Sequence, residues 1–305
     1  MIKSLWTSCV LVGIFSSTTT FASQSPDPSL TQIDSSCTCK ALAGDELENP
    51  IKFNFGAFSG QCIDSCRFRK SVLLSPQDDS TMVFSNFMHN GEFWKIKVHP
   101  DGISQARIGF EEFMPGIFHV FLIFDFDKNR PLILESQIKT HSPKPQTVSS
   151  LVFSPEGVPA REKKYNFFDA YLNRYVVGHR LLSAEQVFQY SVVHLKHKVT
   201  TYPLKLSKPQ LNQLITEALK TVHNDSFKHH YRLFSNNCAT TVLNLIEKVG
   251  PAANSNELFL YKVVQSIERA LPVSGPMGVV QLLAKRNLIS PPSASELKTE
   301  QSTTL

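Results

Sequence analysis

No dense run of basic residues marks this sequence. Its 31 lysines and arginines stand against 26 acids, a net charge of +5 spread over 305 residues. That balance is weakly compatible with anionic surfaces and gives no support to nucleic-acid recognition. The mean hydropathy is only −0.12, which excludes a multi-span membrane protein. No H-E-x-x-H or related histidine spacing occurs, and the cysteine spacings C-x-C and C-x3-C are poor matches to C-x2-C knuckles. A metal enzyme is therefore not expected, and no cofactor is called for. There is no internal repeat. What remains, 42% hydrophobic residues, can bury a sizeable core in one large domain with appendages, or two domains at most.

The first residues read as a secretory signal over 1–23. Lys3 supplies the charge, residues 5–15 an apolar run, and Thr20-Phe21-Ala22 the small residues of a cleavage site. The run is shorter than the ~20 residues of a spanning helix, and an uncleaved anchor is the competing reading. Past it lie Cys37, Cys39, Cys62 and Cys66 in one cluster, with Cys238 alone far downstream. In an oxidising compartment the cluster predicts two disulfides tying an irregular segment over 24–78, in any of three connectivities; a zinc site is the rival. The unpaired Cys238 is either a reactive thiol or a small buried hydrophobe. The expected location is periplasmic or secreted.

Strand signals follow. Trp94, Ile96 and Val98 alternate with Phe93, Lys95 and Lys97; Pro100-Asp101-Gly102 turns the chain into an apolar run near Ile108 and Phe110. Residues 117–124 form a long apolar strand, and Asp127-Lys128-Asn129-Arg130 reads as a turn returning it along 131–134. The Ser/Pro/Lys-rich 140–165 reads as a loop, and 192–202 as a further strand. Ser207-Lys208-Pro209-Gln210 is a capping box opening a helix that carries Leu211, Leu214, Ile215, Ala218, Leu219 and Val222. A second helix starts near Asn237 and is stopped by Gly250-Pro251 through glycine's left-handed preference and proline's missing donor. A third covers 260–267, and the tail 289–305 is expected to be disordered. Strands followed by helices predict an α+β fold, an antiparallel sheet packed against helices over 79–288.

Ser235-Asn236-Asn237 places Cys238 in the first turn of its helix, where the helix dipole favours a thiolate. Positions 238, 242, 245 and 249 share a stripe, so the sulfur faces the sheet and a base is sought there. His119 interrupts an otherwise apolar strand. It is either that base or a satisfied core histidine. If the turn centres on Lys128, Gln137 lies opposite His119 with Glu135 on the same face, either of which could orient the ring. His197 is the alternative base.

The segment Tyr231-Arg232-Leu233-Phe234-Ser235-Asn236-Asn237-Cys238-Ala239-Thr240-Thr241 resembles the Y-x-n-N-C-[AT]-T signature of the Lnb N-terminal periplasmic domain family. Phe118-His119-Val120-Phe121-Leu122-Ile123-Phe124 and the following 132–139 are similar to its "H-v-x-l-x-F … l-x-l-S-x-E-i-R" hairpin. The resemblance spans about 80 to 290 and implies a permuted papain-like arrangement, with the histidine strand before the cysteine helix. It implies Cys238 as nucleophile, His119 as base, and Asn237 and Tyr231 in oxyanion or supporting roles. Family members act as thiol acyltransferases on bacterial lipoproteins through an acyl-cysteine. The family's E-i-R falls here on Gln137-Ile138-Lys139, and no transmembrane helix is expected after the domain. The partner expected is a lipid, lipoprotein or cell-wall substrate at a membrane surface. A peptide amidase and a non-catalytic binding module are the other readings.

Overall fold

A computed structural model of the chain describes residues 52–290, apart from 65–66, 79–80, 115–116, 138–144, 162, 234 and 251–275. The signal segment, Cys37, Cys39, Cys66, the helix expected over 260–267 and the tail beyond 290 lie outside the described residues. Cys62 is described and is not a free thiol, but the pairing of the cluster involves residues that are not.

The alternating apolar positions do form a strand, β3 (Glu92–Val98), with Trp94, Ile96 and Val98 buried. It is paired antiparallel with β2 (Thr81–His89). Asn90 and Gly91 join them at φ of +49° and +79°, the primed turn that matches strand twist. Upstream, β1 (Leu73–Asp78) already pairs with β2, so the sheet begins before the expected domain start at 79. β4 (Ile103–Met114) and β5 (Ile117–Phe126) pair along their length. They are followed by β6 (Leu132–Ser136), β7 (Gln146–Val148), β8 (Ser150–Val158), β9 (Val176–Ser183) and β10 (Lys198–Pro203). The strand order is β10-β4-β5-β8-β9-β2-β3-β6-β7. All pairs are antiparallel except the parallel β2–β9. The class is α+β with a large, mostly antiparallel sheet.

The expected β5–β6 hairpin does not form. Val120 to Phe124 is buried without alternation, the pattern of a strand covered on both faces. Such a strand sits centrally, between β4 and β8. β6 instead pairs with β3, where Lys97 and Glu135 make a cross-strand ion pair of 2.6 Å. The supposed loop over 140–165 holds β7 and β8; its Ser/Pro content hides the core run Leu151-Val152-Phe153. The stretch read as one strand over 192–202 divides in two. A short helix α2 (Ala184–Val187), capped by Ser183, runs into a π-helical turn (Phe188–His194), and only β10 is extended.

Short links force the sheet to curl. β7 and β8 lie five places apart in the strand order, roughly 24 Å in a flat sheet. Only Ser149 joins them, a reach of about 7.6 Å between flanking Cα atoms. The β7 end of the sheet must therefore curl back toward β8. Inside, the strands share one core with α3 (Lys208–Asp225) and α4 (Cys238–Val249). α5 (Pro276–Lys285) joins the same core, and α1 (Phe167–Tyr171) lies between β8 and β9 in sequence. The capping box of Ser207 and Gln210 opens α3 as its spacing predicts. α4 ends at Gly250, but with φ of −71°, so the stop is an extended turn, not a left-handed one. Phe53, Phe58, Ile63 and Phe68 form a second core against Val158, Tyr175 and Tyr231.

Candidate active site

α4 is built to hold its first residue still. The Asn237 Oδ1 accepts from Thr240 N–H at 2.9 Å, and the Thr240 hydroxyl accepts from Asn237 N–H at 2.9 Å. This reciprocal box satisfies two first-turn donors. Val242, Leu245, Ile246 and Val249 are buried on the sheet side, which turns the Cys238 sulfur toward the strands. It is 5% exposed and is the free cysteine among the described residues.

The sulfur meets the sheet where two strands part. β5 and β8 pair only as far as Leu122 and Phe153. Continued, the ladder would bring in Pro155, which has no N–H to give. β8 instead keeps β9 as its partner through Val158. Into the fork comes Cys238, hydrogen-bonded by the His119 ring, the Val120 backbone N–H and the Tyr231 hydroxyl, whose oxygen is 3.9 Å from the sulfur.

Behind His119 lies a relay. Its Nε2 is 2.8 Å from the Ser154 hydroxyl, which donates to Glu156 Oε1 at 2.8 Å. A hydroxyl has one proton. Ser154 gives it to the carboxylate and so accepts from His119 Nε2–H, leaving Nδ1 for the thiol. Arg180 braces Glu156 through both oxygens, at 3.1 and 3.2 Å.

The charges agree with this geometry. Burial pushes the Cys238 thiol up, but the His119 bond and charge, the Val120 N–H and Tyr231 outweigh it, so the net shift is downward. Burial likewise disfavours a charged His119. The bond to Cys238 and the negative charges of Cys238, Glu156 and Glu111 reverse that and raise it to about 9. Glu156, although desolvated, is held below the usual carboxylate range by Arg180, His119 and Ser154. Thiolate and imidazolium are thus the favoured pair.

Cys238 and His119 sit in a cavity of about 520 Å³. Its apolar wall includes Phe118, Phe121, Val152 and Leu182, and Arg67, Arg161, Lys163 and Lys164 stand around it. Tyr231 is placed by an absence: a Cβ on Gly157 would lie 3.2 Å from its ring. His197, the alternative base, is bound 2.6 Å from Glu111 on another wall of the same cavity.

The other candidates lie elsewhere. Gln137 clasps Asn86, accepting from its backbone N–H and donating to its side chain at 3.0 Å. Asn86 has φ of +57° at a bulge of β2, so Gln137 pins a bulge and does not reach His119. Glu135 is paired with Lys97. Asn237 is the helix cap, its amide also donating to Leu233 O. Of the six catalytic or supporting candidates, Cys238, His119 and Tyr231 converge, with Asn237 beneath them. Sequence reasoning missed Ser154, Glu156 and Arg180. The available signal was Ser-Pro-Glu, two polar residues of one parity after an apolar triplet, but it fell in a stretch read as loop. Among the described residues, no group of histidine, cysteine and acid side chains could hold a metal ion.

A helix-capped cysteine bonded to a relayed histidine at a sheet fork defines a thiol–imidazole dyad on an α+β scaffold. The chain belongs to the Lnb N-terminal periplasmic domain family, whose model matches residues 114–285. The match begins at the last residue of β4, later than the expected 80. It contains His119, Ser154, Glu156, Arg180, Tyr231 and Cys238. No curated protein and no solved structure matches the chain. The family description is of a periplasmic domain, and no helix among the described residues is long and apolar enough to cross a membrane.

Proposed function

We propose that the protein is an exported thiol enzyme that transfers or hydrolyses acyl groups through a Cys238 thioester. The observation that carries this reading is the sulfur's position, bonded at once by His119 and by the Val120 N–H on the floor of an apolar cavity. The histidine strand preceding the cysteine helix is the order of a permuted papain-like chain, which is how we read the scaffold.

In the first step the thiolate attacks the acyl carbonyl carbon and the carbon–oxygen bond of the ester breaks. His119 gives its Nδ1 proton to the departing alkoxide. The Tyr231 hydroxyl, whose pKa burial and the thiolate charge raise well above its ordinary value, stays protonated and donates to the developing oxyanion. In the second step an amine or water attacks the thioester and His119 takes its proton, releasing the thiolate. Ser154 and Glu156 hold the ring for both.

The apolar wall favours a fatty acyl donor over a cell-wall peptide. The Lnb relationship points the same way, toward a lipid or lipoprotein ester. Mass spectrometry of the protein incubated with phospholipid tests it. An added acyl mass on Cys238, with lysophospholipid released, is the expected result. Amine release from cell-wall fragments with no acyl mass from lipid would replace it with the amidase reading. Alkylation of Cys238 no faster than an ordinary exposed thiol would leave a binding module.

A further inference from the structure

Two arms of chain carry large apolar side chains outward beside the cavity. The first is 161–172. Tyr165 lines the cavity, and beyond it Phe168 on α1 is 73% exposed and Leu172, which caps that helix, 54%. The second is the π-helical turn. Tyr190 and Ser191 line the cavity, whereas Val193 is 62% exposed and Phe188 and Val192 are exposed as well. Arg67 donates to the Tyr190 hydroxyl at 3.2 Å, tying the second arm to the cavity rim. Scattered exposed apolar residues need no explanation, but these are gathered on the two segments that border one cavity.

Their charged neighbours identify the surface they fit. The first arm bears Arg161, Lys163 and Lys164, with Glu162 between them in sequence, and its Asp169 is bound at 2.9 Å by Arg174 just past the arm. The second is followed by the exposed Lys196 and Lys198, with Glu185 before it. Aromatic and aliphatic tips flanked by lysines are the composition of a membrane-interface anchor. The tips enter the acyl boundary and the lysines stay at the headgroups. A protein groove would leave the cationic collar without a stated counterpart, whereas an anionic leaflet supplies one.

We propose that this face docks the protein on an anionic lipid bilayer, setting the cavity mouth against the membrane. Docking goes beyond the chemistry at Cys238 and does not depend on it. The test uses the purified protein with vesicles of phosphatidylcholine alone or mixed with phosphatidylglycerol. Co-sedimentation is expected to be at least tenfold stronger with the mixed vesicles, and a Phe168→Trp variant is expected to show blue-shifted emission on them. Leu172→Ser with Val193→Ser should abolish the association. Lys163→Gln and Lys164→Gln should each weaken it roughly fivefold. Cys238→Ser should leave it unchanged, which separates docking from catalysis. Absence of association with mixed vesicles, equal association with both kinds, or association that survives the Leu172 and Val193 changes would overturn the proposal. The first of these would leave the face to a protein partner.

Discussion

At the scale of single residues, the site is a balance between burial and a set of bonds to one sulfur. Burial alone would raise the Cys238 thiol and lower His119; the observed bonds reverse both directions. The proposed reaction needs the thiolate for attack and the protonated ring for the leaving group. Activity is therefore expected to be present above the depressed thiol pKa and to fall as pH rises through about 9, where His119 loses its proton. A kcat/KM profile still rising beyond pH 9 would contradict this. The alkylation rate of Cys238 should reach its plateau at a lower pH than that of an ordinary exposed thiol. His119→Ala should slow alkylation by roughly 10²- to 10⁴-fold, whereas His197→Ala should leave it near its original value. Ser154→Ala and Glu156→Gln remove links that hold the ring. A hydrogen bond to a charged group is worth about 1.5–3 kcal/mol, so each should lower kcat roughly 10- to 150-fold. Each should also move the alkaline limb toward lower pH, a change that lost packing would not produce. The dyad was legible in the sequence because each member breaks a local pattern: Cys238 stands apart from the cysteine cluster, and His119 interrupts an apolar run. Ser154 and Glu156 break no pattern that composition can see, since serine, proline and glutamate are ordinary in loops.

Among the elements, α4 and β2 depend on polar residues whose roles can be told apart from catalysis. Asn237→Ala removes an N-cap and is expected to cost about 0.5–2 kcal/mol of stability. Asn237→Asp should restore most of it, and thermal unfolding measures both. Gln137→Ala strips a partner from the Asn86 N–H at the β2 bulge. An unsatisfied buried donor costs about 1–3 kcal/mol, so the variant should unfold earlier while Cys238 alkylates at an unchanged rate. A loss of alkylation with intact stability would restore Gln137 to the dyad. The helices were legible because capping chemistry is local: Ser207 with Gln210, and Asn237 ahead of Cys238, announce their starts within four residues. Strand partners are not local. A turn at 127–130 looked sufficient to pair β5 with β6, yet it only redirects the chain, and β6 finds β3 across the curl.

For the whole molecule, the α+β class followed from the sequence of elements, whereas the strand order did not. The single-residue link at Ser149 makes the curl compulsory, but nothing in that residue says which strands it joins. The curl also grades stability. β5 and β8 lie between paired neighbours and are buried on both faces near Leu122 and Phe153, while α1 and the π-helical turn expose much of their surface. Native-state hydrogen exchange is expected to be slowest at the former and to approach local fraying at the latter. Uniform protection across both would contradict the architecture described.

The parting of β5 from β8 has a spectroscopic consequence. The Val120 N–H points at a sulfur in place of a strand carbonyl, and a thiolate is a far stronger acceptor than a thioester. Acylation of Cys238 should therefore shift the Val120 amide resonance upfield and hasten its exchange, while its neighbours along β5 stay still. One backbone proton in the sheet would then report the charge on Cys238 through each step of the proposed reaction, without any label on the substrate.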